Sequence, residues 1–442
     1  MPENLLHKTA FGLYNFSWHF ALPCLRWHRR LAEGYRQRAL KGSLPGNADI
    51  WIQAASVGES FLALEIVKSL ETRHPVRFLL TSNTSQGIEI LSRELQQQID
   101  DNNRDRPVVR YFPFDKPSLM ATAVTRIRPK LMVLLETEIW PGLLRALKRH
   151  GCKILIINGR ITEKSLRRYL LWPSIWQALG PDKILAISPA DAERFGRLFG
   201  RDGVEVMPNL KFDRIISSRS SHDDTIRIKS ILPTGVPLVV LASVRSEEES
   251  EVKKIIHHIM HIRPETVIGL FPRHMQRVTF WQDTLTQMNI KWALRSTASD
   301  AVSAGTVIVW DTFGELMPAY RLAFSAFVGG SLAPLGGQNF LEALVNGLIP
   351  IIGPSWENFA WVGRDIIDTG LLRVAGNWQA VAALILEDLD NPRTRTIVID
   401  AAARFLEAHK GGTKQACRRI EELLEKTEHR TSNIEHRTLN FE

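Results

Sequence analysis

Short apolar runs alternate with longer stretches of helical periodicity along most of this 442-residue chain. In the first half the apolar runs are DIWIQAAS, VRFLLTS, VVRYFPF, LMVLLE, KILIING, KILAIS and VEVMPN. Between them, apolar periodicity at 60–73, 85–97, 141–149 and 190–199 predicts helices. Strands that alternate with helices are typical of βαβ units, so this half predicts a parallel sheet.

The alternation restarts after the polar segment SSRSSHDDT, with PLVVLAS, TVIGLFPR, TVIVWDT, AFSAFVGG and LIPIIGP as apolar runs. The predicted fold class is therefore α/β, with two doubly wound Rossmann-like domains that face a cleft. We place an N-terminal apolar segment at 1–48, a first domain at 49–215, a linker at 216–235, a second domain at 236–427 and a disordered tail at 428–442.

The N-terminal segment contains the aromatic stretch TAFGLYNFSWHFALPCLRWHRR at 9–30, which three polar residues interrupt. One interpretation is a helix that lies on a bilayer, with Trp18 and Trp27 at headgroup depth and arginines facing anionic lipid. A plain amphipathic helix packed on the domain and a short true anchor are the alternatives. No small-residue cleavage site follows the stretch, so a removable signal peptide is not expected.

The composition restricts the kinds of partner and of cysteine site that the chain can have. The formal net charge of +9 suits an anionic partner or simply favours solubility. No nucleic-acid recognition motif accompanies it, so we expect no nucleic-acid partner. The three cysteines, Cys24, Cys152 and Cys417, lie far apart, which predicts neither a disulfide framework nor a zinc site.

A glycine-rich stretch, FVGGSLAPLGGQNFLEALVNGLIPIIGP, follows a predicted strand of the second domain. Glycine lets a backbone approach a ligand closely, so Gly329, Gly330, Ser331, Gly336 and Gly337 are candidates for a phosphate cradle. The pattern differs from the dinucleotide fingerprint, and a tight turn before a helix is the alternative.

Other groups of this domain lie where a nucleotide would need them. Asn339 is near the first turn of the predicted helix, and Glu342 lies one turn further, where a carboxylate can accept bonds from ribose hydroxyls. Further strand ends supply the cation Arg273 and the base-pocket candidates Phe313, Gly314 and Glu315. An Asp-x-Asp pair, Asp388 and Asp390, lies at a helix end and is interpreted as surface, so no metal site is predicted.

The first domain supplies acids at its strand ends. Ser56 and Glu59 occupy the first strand-to-helix turn, where Glu59 is either a general base or half of a capping box with Ser56. Glu136 and Glu138 follow the fourth strand, and Lys211 follows the last. Solvated loop acids and a surface lysine are the alternatives for these three.

The motifs SVGES, ETEIWPGLL, INGRITEKS, NLKFD, PRH, DTFGEL and FVGGSLAPLGGQNFLEAL occur in the order and spacing of the 3-deoxy-D-manno-octulosonic acid (Kdo) transferases. The chain resembles this family from about residue 10 to residue 425. The resemblance implies a GT-B glycosyltransferase that attaches Kdo from CMP-Kdo to the lipid A precursor of lipopolysaccharide. It also implies a membrane-surface partner and a location at the cytoplasmic face of the inner membrane, without a metal or further cofactor.

Site roles follow from the same resemblance, motif by motif. Glu59 corresponds to the family's catalytic base. The groups proposed to stabilise the transition state in this family correspond to Lys211 and to either Glu136 or Glu138. The CMP contacts correspond to Pro272, Arg273, Phe313, Gly314, Glu315, Asn339, Phe340, Leu341 and Glu342.

The chain departs from the family pattern at two positions that bear on donor choice. Arg245 stands where the family usually has histidine, and Gln338 replaces histidine in the second glycine turn. Other interpretations are a GT-B enzyme that uses a different nucleotide sugar, a nucleotide-sugar epimerase, or a non-catalytic membrane-associated protein of this fold. The number of Kdo units, the protein partners and the oligomeric state stay open.

Overall fold

The computed structural model describes residues 5–28, 31–42, 46–97, 107–215 and 222–439. The chain divides into two compact units. Unit 1 comprises the chain up to Asp213 together with the chain from Lys410, and unit 2 comprises Arg214–His409. Each unit contains one seven-stranded sheet whose neighbouring strands are all parallel.

The strands follow the apolar runs of the sequence. Those of unit 1 are β1 (Ile50–Ala54), β2 (Phe78–Ser82), β3 (Val108–Tyr111), β4 (Leu131–Leu135), β5 (Lys153–Gly159), β6 (Lys183–Ala186) and β7 (Val204–Val206), in the order β3-β2-β1-β4-β5-β6-β7. Those of unit 2 are β8 (Leu238–Val244), β9 (Val267–Pro272), β10 (Trp292–Leu294), β11 (Val307–Val309), β12 (Ser325–Val328), β13 (Ile351–Ile352) and β14 (Arg373–Val374), in the order β10-β11-β9-β8-β12-β13-β14.

Helices connect and cover these strands. Those before β8 are α1 (Leu5–Cys24), α2 (Tyr35–Arg38), α3 (Val57–Ser69), α4 (Ser85–Gln97), α5 (Pro117–Ile127), α6 (Pro141–His150), α7 (Glu163–Tyr169), α8 (Pro173–Ala178), α9 (Pro189–Phe199), α10 (Leu210–Ile215) and α11 (His222–Ser230). Those after β8 are α12 (Glu249–Ile262), α13 (Val278–Gln287), α14 (Leu316–Leu322), α15 (Leu341–Val345), α16 (Asp365–Asp368), α17 (Trp378–Asp390), α18 (Arg395–Ala408) and α19 (Gly412–Leu439).

Both faces of the unit 1 sheet are buried, which explains why its strands are apolar throughout. Trp51 and Met132 belong to one core cluster, whereas their neighbours Ile52 and Val133 belong to the other. This alternation follows from the two-residue period of a strand. A sheet that is covered twice in this way is doubly wound, as predicted.

Helix α19 packs on unit 1, which corrects the predicted domain boundary at 427. Its residues Ala416, Cys417, Ile420 and Leu424 are buried in the same cluster as β1 and β4. Their helical spacing is visible in the sequence, but spacing cannot show which sheet a helix covers. The helix also continues to Leu439, where the sequence predicted a disordered tail, and residues 440–442 lie outside the described part.

Helix α1 lies against unit 1 through one face. Phe11 is buried in the unit 1 core, and Asn15 accepts a hydrogen bond from the backbone N–H of Ser118 at 3.1 Å. Trp18, predicted at headgroup depth, is half-buried beside Phe114, whereas Trp27 is 89% exposed. Within the described residues, no helix is both long enough and apolar enough to cross a membrane.

Asp115 is the buried anchor of α1, and it gives unit 1 a predicted pH dependence. Its carboxyl accepts hydrogen bonds from the Tyr14 hydroxyl at 3.0 Å and from the N–H groups of Gly142 at 2.9 Å and Leu143 at 2.7 Å. Burial nevertheless raises the pKa of Asp115 to about 7. The folded state therefore holds this proton more tightly than the unfolded state, so the contribution of Asp115 to stability is greatest below about pH 4 and is lost as the pH rises from there through about 7.

We expect Asp115→Asn to reduce the slope of the unfolding free energy against pH by up to about 1.4 kcal/mol per pH unit. This is the slope that the release of one proton produces. Urea unfolding of the wild type and the variant between about pH 5 and pH 8 measures it. An identical pH slope in both proteins would contradict the assignment to Asp115.

Candidate functional site

Glu59 lies in the first turn of α3, directly after the carboxyl end of β1. The strand order of unit 1 reverses between β1 and β4, and ligands of doubly wound sheets bind at such a reversal. The Glu59 carboxyl accepts hydrogen bonds from the Ala55 N–H at 2.6 Å and the Ser56 hydroxyl at 3.0 Å. The capping box of the alternative interpretation is therefore incomplete, because the Glu59 carboxyl accepts from the N–H of Ala55 and not from the N–H of Ser56.

The electrostatics of Glu59 differ from those of an ordinary capping acid. It is only 8% exposed, and burial raises its pKa to about 7. The negative charges of Glu136 and Glu138 contribute to this rise, which brings the three predicted acids of unit 1 together. A carboxyl with this pKa is partly ionised at neutral pH and can exchange a proton there.

Glu136 lies between two cations. Lys211 Nζ and the Arg160 guanidinium each lie 2.7 Å from its carboxylate oxygens. Glu136 has a φ of 57° and Asn158, at the end of β5, a φ of 58°. Such left-handed conformations strain non-glycine residues and are concentrated at functional sites. The structure therefore brings Glu136 and Lys211 into direct contact, as a shared site requires.

Glu138 has a different environment. It accepts a hydrogen bond from Trp140 Nε1 at 2.6 Å and one from Gln53 at 3.4 Å. Gln53 is fully buried in β1 and accepts a bond from the Thr81 hydroxyl at 2.6 Å. Burial raises the pKa of Glu138. Its partners are neutral, so Glu136 is the acid that carries the ion pairs.

The first glycine pair of unit 2 holds an internal carboxylate, which corrects the predicted phosphate cradle. Glu248 is buried and accepts hydrogen bonds from the N–H groups of Gly330 at 2.5 Å, Ser331 at 3.2 Å and Leu332 at 3.3 Å. A Cβ at Gly329 would lie 2.4 Å from the same carboxylate. These residues therefore make room and donors for Glu248, and their N–H groups already have an acceptor.

The second glycine pair forms a turn, so its cradle role is corrected as well. The Gly336 N–H donates to the Ser355 hydroxyl at 2.8 Å, and the Gly337 N–H donates to the Gly330 carbonyl at 2.7 Å. Both glycines have left-handed φ angles, and a Cβ at Gly336 would lie 2.4 Å from Asn358. The tight-turn alternative therefore describes this segment.

The predicted base-pocket residues have unequal roles. Phe313 is 83% exposed, and Gly314, with a φ of 86°, has open space around it. Glu315 instead pairs with Arg295 at 2.8 Å and accepts bonds from Trp310 and Thr312. Its carboxylate organises the turn, which leaves Phe313 and the open backbone at Gly314 to meet a ligand.

The segment from Asn339 to Glu342 is also mixed. Phe340 and Leu341 are buried and their side chains face the core, so only their backbone groups can contact CMP. Asn339 Nδ2 donates to Glu342 at 2.8 Å. Burial raises the pKa of Glu342, although this bond and the charge of Arg273 oppose the rise. Helix α15 has five residues, which is too short for the strong helix dipole that the sequence suggested.

Arg273 and Pro272 lie where β9 ends, with Pro272 buried and the Arg273 side chain exposed. The Arg273 N–H donates to the Val244 carbonyl at 2.8 Å, which places the backbone of this residue beside the end of β8. Gln338, one of the two departures, lies over Gly330. The other, Arg245, pairs with Glu247 at 3.1 Å.

The sequence analysis assigned no role to Glu248 or Arg160, although each follows the end of a predicted strand. A run of three acids after β8 was the available signal for Glu248, and a polar residue directly after β5 was the signal for Arg160.

Asp388, which the sequence analysis interpreted as a surface residue, is buried in the structure. No cluster of three or more metal-ligating side chains occurs within the described residues.

Comparison with known proteins places these features in a family. A family model described as 3-deoxy-D-manno-octulosonic-acid transferase (kdotransferase) matches residues 25–214. A 3-deoxy-D-manno-octulosonic acid transferase of Bordetella pertussis is 30% identical over 408 residues, which cover 90% of this chain and 93% of the relative. The transferase of that name from Haemophilus influenzae is 26% identical over 416 residues, which cover 91% of this chain and 93% of the relative.

A solved structure supports the fold. A glycosyltransferase from Rickettsia africae has a TM-score of 0.56 at 11% identity and covers 87% of this chain and 99% of its own. At this identity the likeness bears on the fold alone. Together with the two parallel sheets, it confirms the prediction of two doubly wound Rossmann-like domains.

Proposed function

Because the chain belongs to the 3-deoxy-D-manno-octulosonic acid (Kdo) transferase family, we propose that it moves Kdo from CMP-Kdo to a lipid A precursor, with Glu59 as general base. It is a glycosyltransferase of lipopolysaccharide biosynthesis. The proposal concerns the donor, the acceptor and the mechanism. One observation carries the mechanism: a buried carboxyl with a pKa of about 7 at the strand-order reversal of unit 1.

In the proposed reaction, Glu59 takes the proton from an acceptor sugar hydroxyl as that oxygen attacks the anomeric carbon of Kdo. The bond from Kdo to the CMP phosphate breaks on the opposite face, so the anomeric configuration inverts. A base with a pKa near the working pH combines a useful ionised fraction with real basicity. The raised pKa of Glu59 supports this role and distinguishes it from an ordinary surface glutamate.

Lys211 and Glu136 are proposed to act as a pair in stabilising the transition state. Two cations, Lys211 and Arg160, surround the one carboxylate of Glu136. The two cations can bind a substrate that bears both a carboxylate and a phosphate. Of the two acids left open by the sequence, Glu136 is therefore assigned to this role and Glu138 to supporting the strand ends.

In unit 2, we assign the CMP phosphate to Arg273 and the ribose hydroxyls to Glu342. The exposed ring of Phe313 offers a face on which cytosine can stack. The N–H groups of Gly330, Ser331 and Leu332 already bind Glu248, so Arg273 becomes the main phosphate ligand. Because a cationic side chain such as Arg273 can stabilise the charge of the leaving phosphate, we propose that the reaction needs no metal.

A lipid acceptor requires the enzyme to work at a membrane surface, and we propose the cytoplasmic face of the inner membrane. Support comes from the apolar side chains that α1 exposes. Leu13, Phe16 and Phe20 project from the helix face opposite Phe11, and Trp27 follows them. An exposed row of large apolar and aromatic residues is typical of a helix that lies in a bilayer interface.

Nucleotide competition tests the donor assignment. At a hundredfold excess over its Kd, CMP is expected to stabilise the full chain by about 2.7 kcal/mol, which thermal unfolding detects. UDP at the same concentration should have little effect. Arg273→Gln should abolish most of the protection by CMP, whereas Arg404→Gln, an exposed arginine of α18, should retain it. Protection by UDP in preference to CMP would favour a GT-B enzyme with another donor.

A further inference from the structure

Unit 2 contains a pocket of about 310 Å³ at the opposite end of its sheet from Arg273. It forms where three connections meet: 321–324 before β12, 347–349 before β13, and 392–398 at the start of α18. In a parallel sheet the amino ends of the strands share one edge, so this pocket is separate from the residues assigned to CMP.

Three arginines line the pocket: Arg321, Arg393 and Arg395. The one acid of its lining, Asp388, is already neutralised, because it accepts hydrogen bonds from Arg373 and from the Ser325 hydroxyl. Within the described part of the chain, none of the three lining arginines pairs with a carboxylate. The pocket therefore holds excess positive charge in a confined space.

Arg395 is held in place by backbone groups. Its guanidinium donates to the carbonyl oxygens of Tyr320 at 3.0 Å, Asn346 at 2.5 Å and Ala323 at 2.5 Å. A Cβ at Gly347 would lie 2.3 Å from Arg395 Cγ, so a glycine is needed there to seat it. These three hydrogen bonds to carbonyl oxygens give Arg395 a structural role. Its positive charge still lies at the pocket.

Arg321 and Arg393 have no comparable structural role. Arg321 Nε donates to the Asn346 side-chain oxygen at 2.9 Å, and its terminal nitrogens have no acceptor among the described residues. Arg393 is exposed and has no hydrogen bond or ion pair within the described residues. Both guanidinium groups are thus available to an incoming anion.

We propose that this pocket binds a small soluble molecule that carries a phosphate group. The planar fork of arginine matches phosphate oxygens, and a pocket with low-dielectric walls strengthens the attraction. Its volume lies at the lower end of the range for small-molecule sites, so it has room for more than a bare phosphate. The apolar side chains of Leu322, Leu348 and Val398 line the remainder and suit an apolar portion of the ligand.

Pyrophosphate is the probe, titrated calorimetrically into the full chain. Arg321→Gln and Arg393→Gln are each expected to weaken its binding by about tenfold or more, since each removes a charged hydrogen-bond donor. Arg404→Gln makes the same charge change on α18 outside the pocket and should leave the affinity unchanged. Equal affinity in all four proteins, or no binding to the wild type, would overturn the proposal.

Two further arms separate other sources of the same signal. The proposal goes beyond the transferase function, so saturating CMP should leave pyrophosphate binding intact. Displacement by CMP would instead place pyrophosphate at the donor site and overturn the proposal. Sedimentation with phosphatidic acid vesicles should be the same for the wild type and the pocket variants. Vesicle binding that is lost in both variants, without pyrophosphate binding, would identify a lipid phosphate and also overturn it.

Discussion

Glu59→Gln is expected to lower kcat by about 10²- to 10⁴-fold, the usual cost of removing a positioned general base. Glutamine keeps the size of the side chain and an oxygen that can accept the Ala55 N–H, so the fold should be retained. Because the variant lacks only the proton acceptor, its affinity for CMP should equal that of the wild type. Steady-state rates and CMP titrations measure the two quantities.

Ser56→Ala is the matched control for the helix-capping alternative. It removes the N-cap side chain of α3, which accepts from the Glu59 N–H at 3.4 Å, and should cost about 1 kcal/mol of stability. Its turnover should fall far less than that of Glu59→Gln, because the Ala55 N–H still holds the Glu59 carboxyl after the Ser56 hydroxyl is lost. If Glu59→Gln kept normal turnover while Ser56→Ala lost stability, Glu59 would be a capping residue only.

Glu248→Ala is expected to destabilise unit 2 by more than about 4 kcal/mol. The carboxylate accepts four backbone hydrogen bonds, because the Arg245 N–H also donates to it, at 3.0 Å. Each buried donor left without an acceptor costs about 1–3 kcal/mol. The loss therefore belongs to the rare class of severely destabilising substitutions, and denaturant unfolding measures it.

Glu248→Gln tests the same account if the alanine variant does not fold. One side-chain oxygen remains to accept bonds, so we expect a loss of roughly half that size. Glu247→Gln, at the neighbouring exposed acid, should change stability by less than about 0.5 kcal/mol. Stability of both Glu248 variants equal to that of the wild type would show that the carboxylate is not what organises the glycine turn.

The fold was largely predictable because each strand is an apolar run bounded by turn residues. The exceptions were short: β10 has three residues and β14 has two, too few for a pattern to stand out. Helix α19 was assigned to the second domain because chain order was the available guide. Its apolar face packs on the unit 1 core instead, which is a long-range contact that local periodicity does not encode.

The site was predictable at the level of residue type and less so at the level of partners. Strand ends gave Glu59, Glu136 and Lys211, and the structure brings these side chains or their charges together. The glycines were misinterpreted, because glycine signals close approach without naming what approaches. At Gly329 and Gly330 the approaching group is Glu248, 81 or more residues earlier in the sequence.

Incubation of the full chain with CMP-Kdo and a lipid A precursor, with the products weighed by mass spectrometry, tests the central claim most directly. The account predicts products heavier than the acceptor by whole Kdo units, together with released CMP, and almost no product with Glu59→Gln. An unmodified acceptor with the folded wild-type protein, or equal product with wild type and Glu59→Gln, would contradict it.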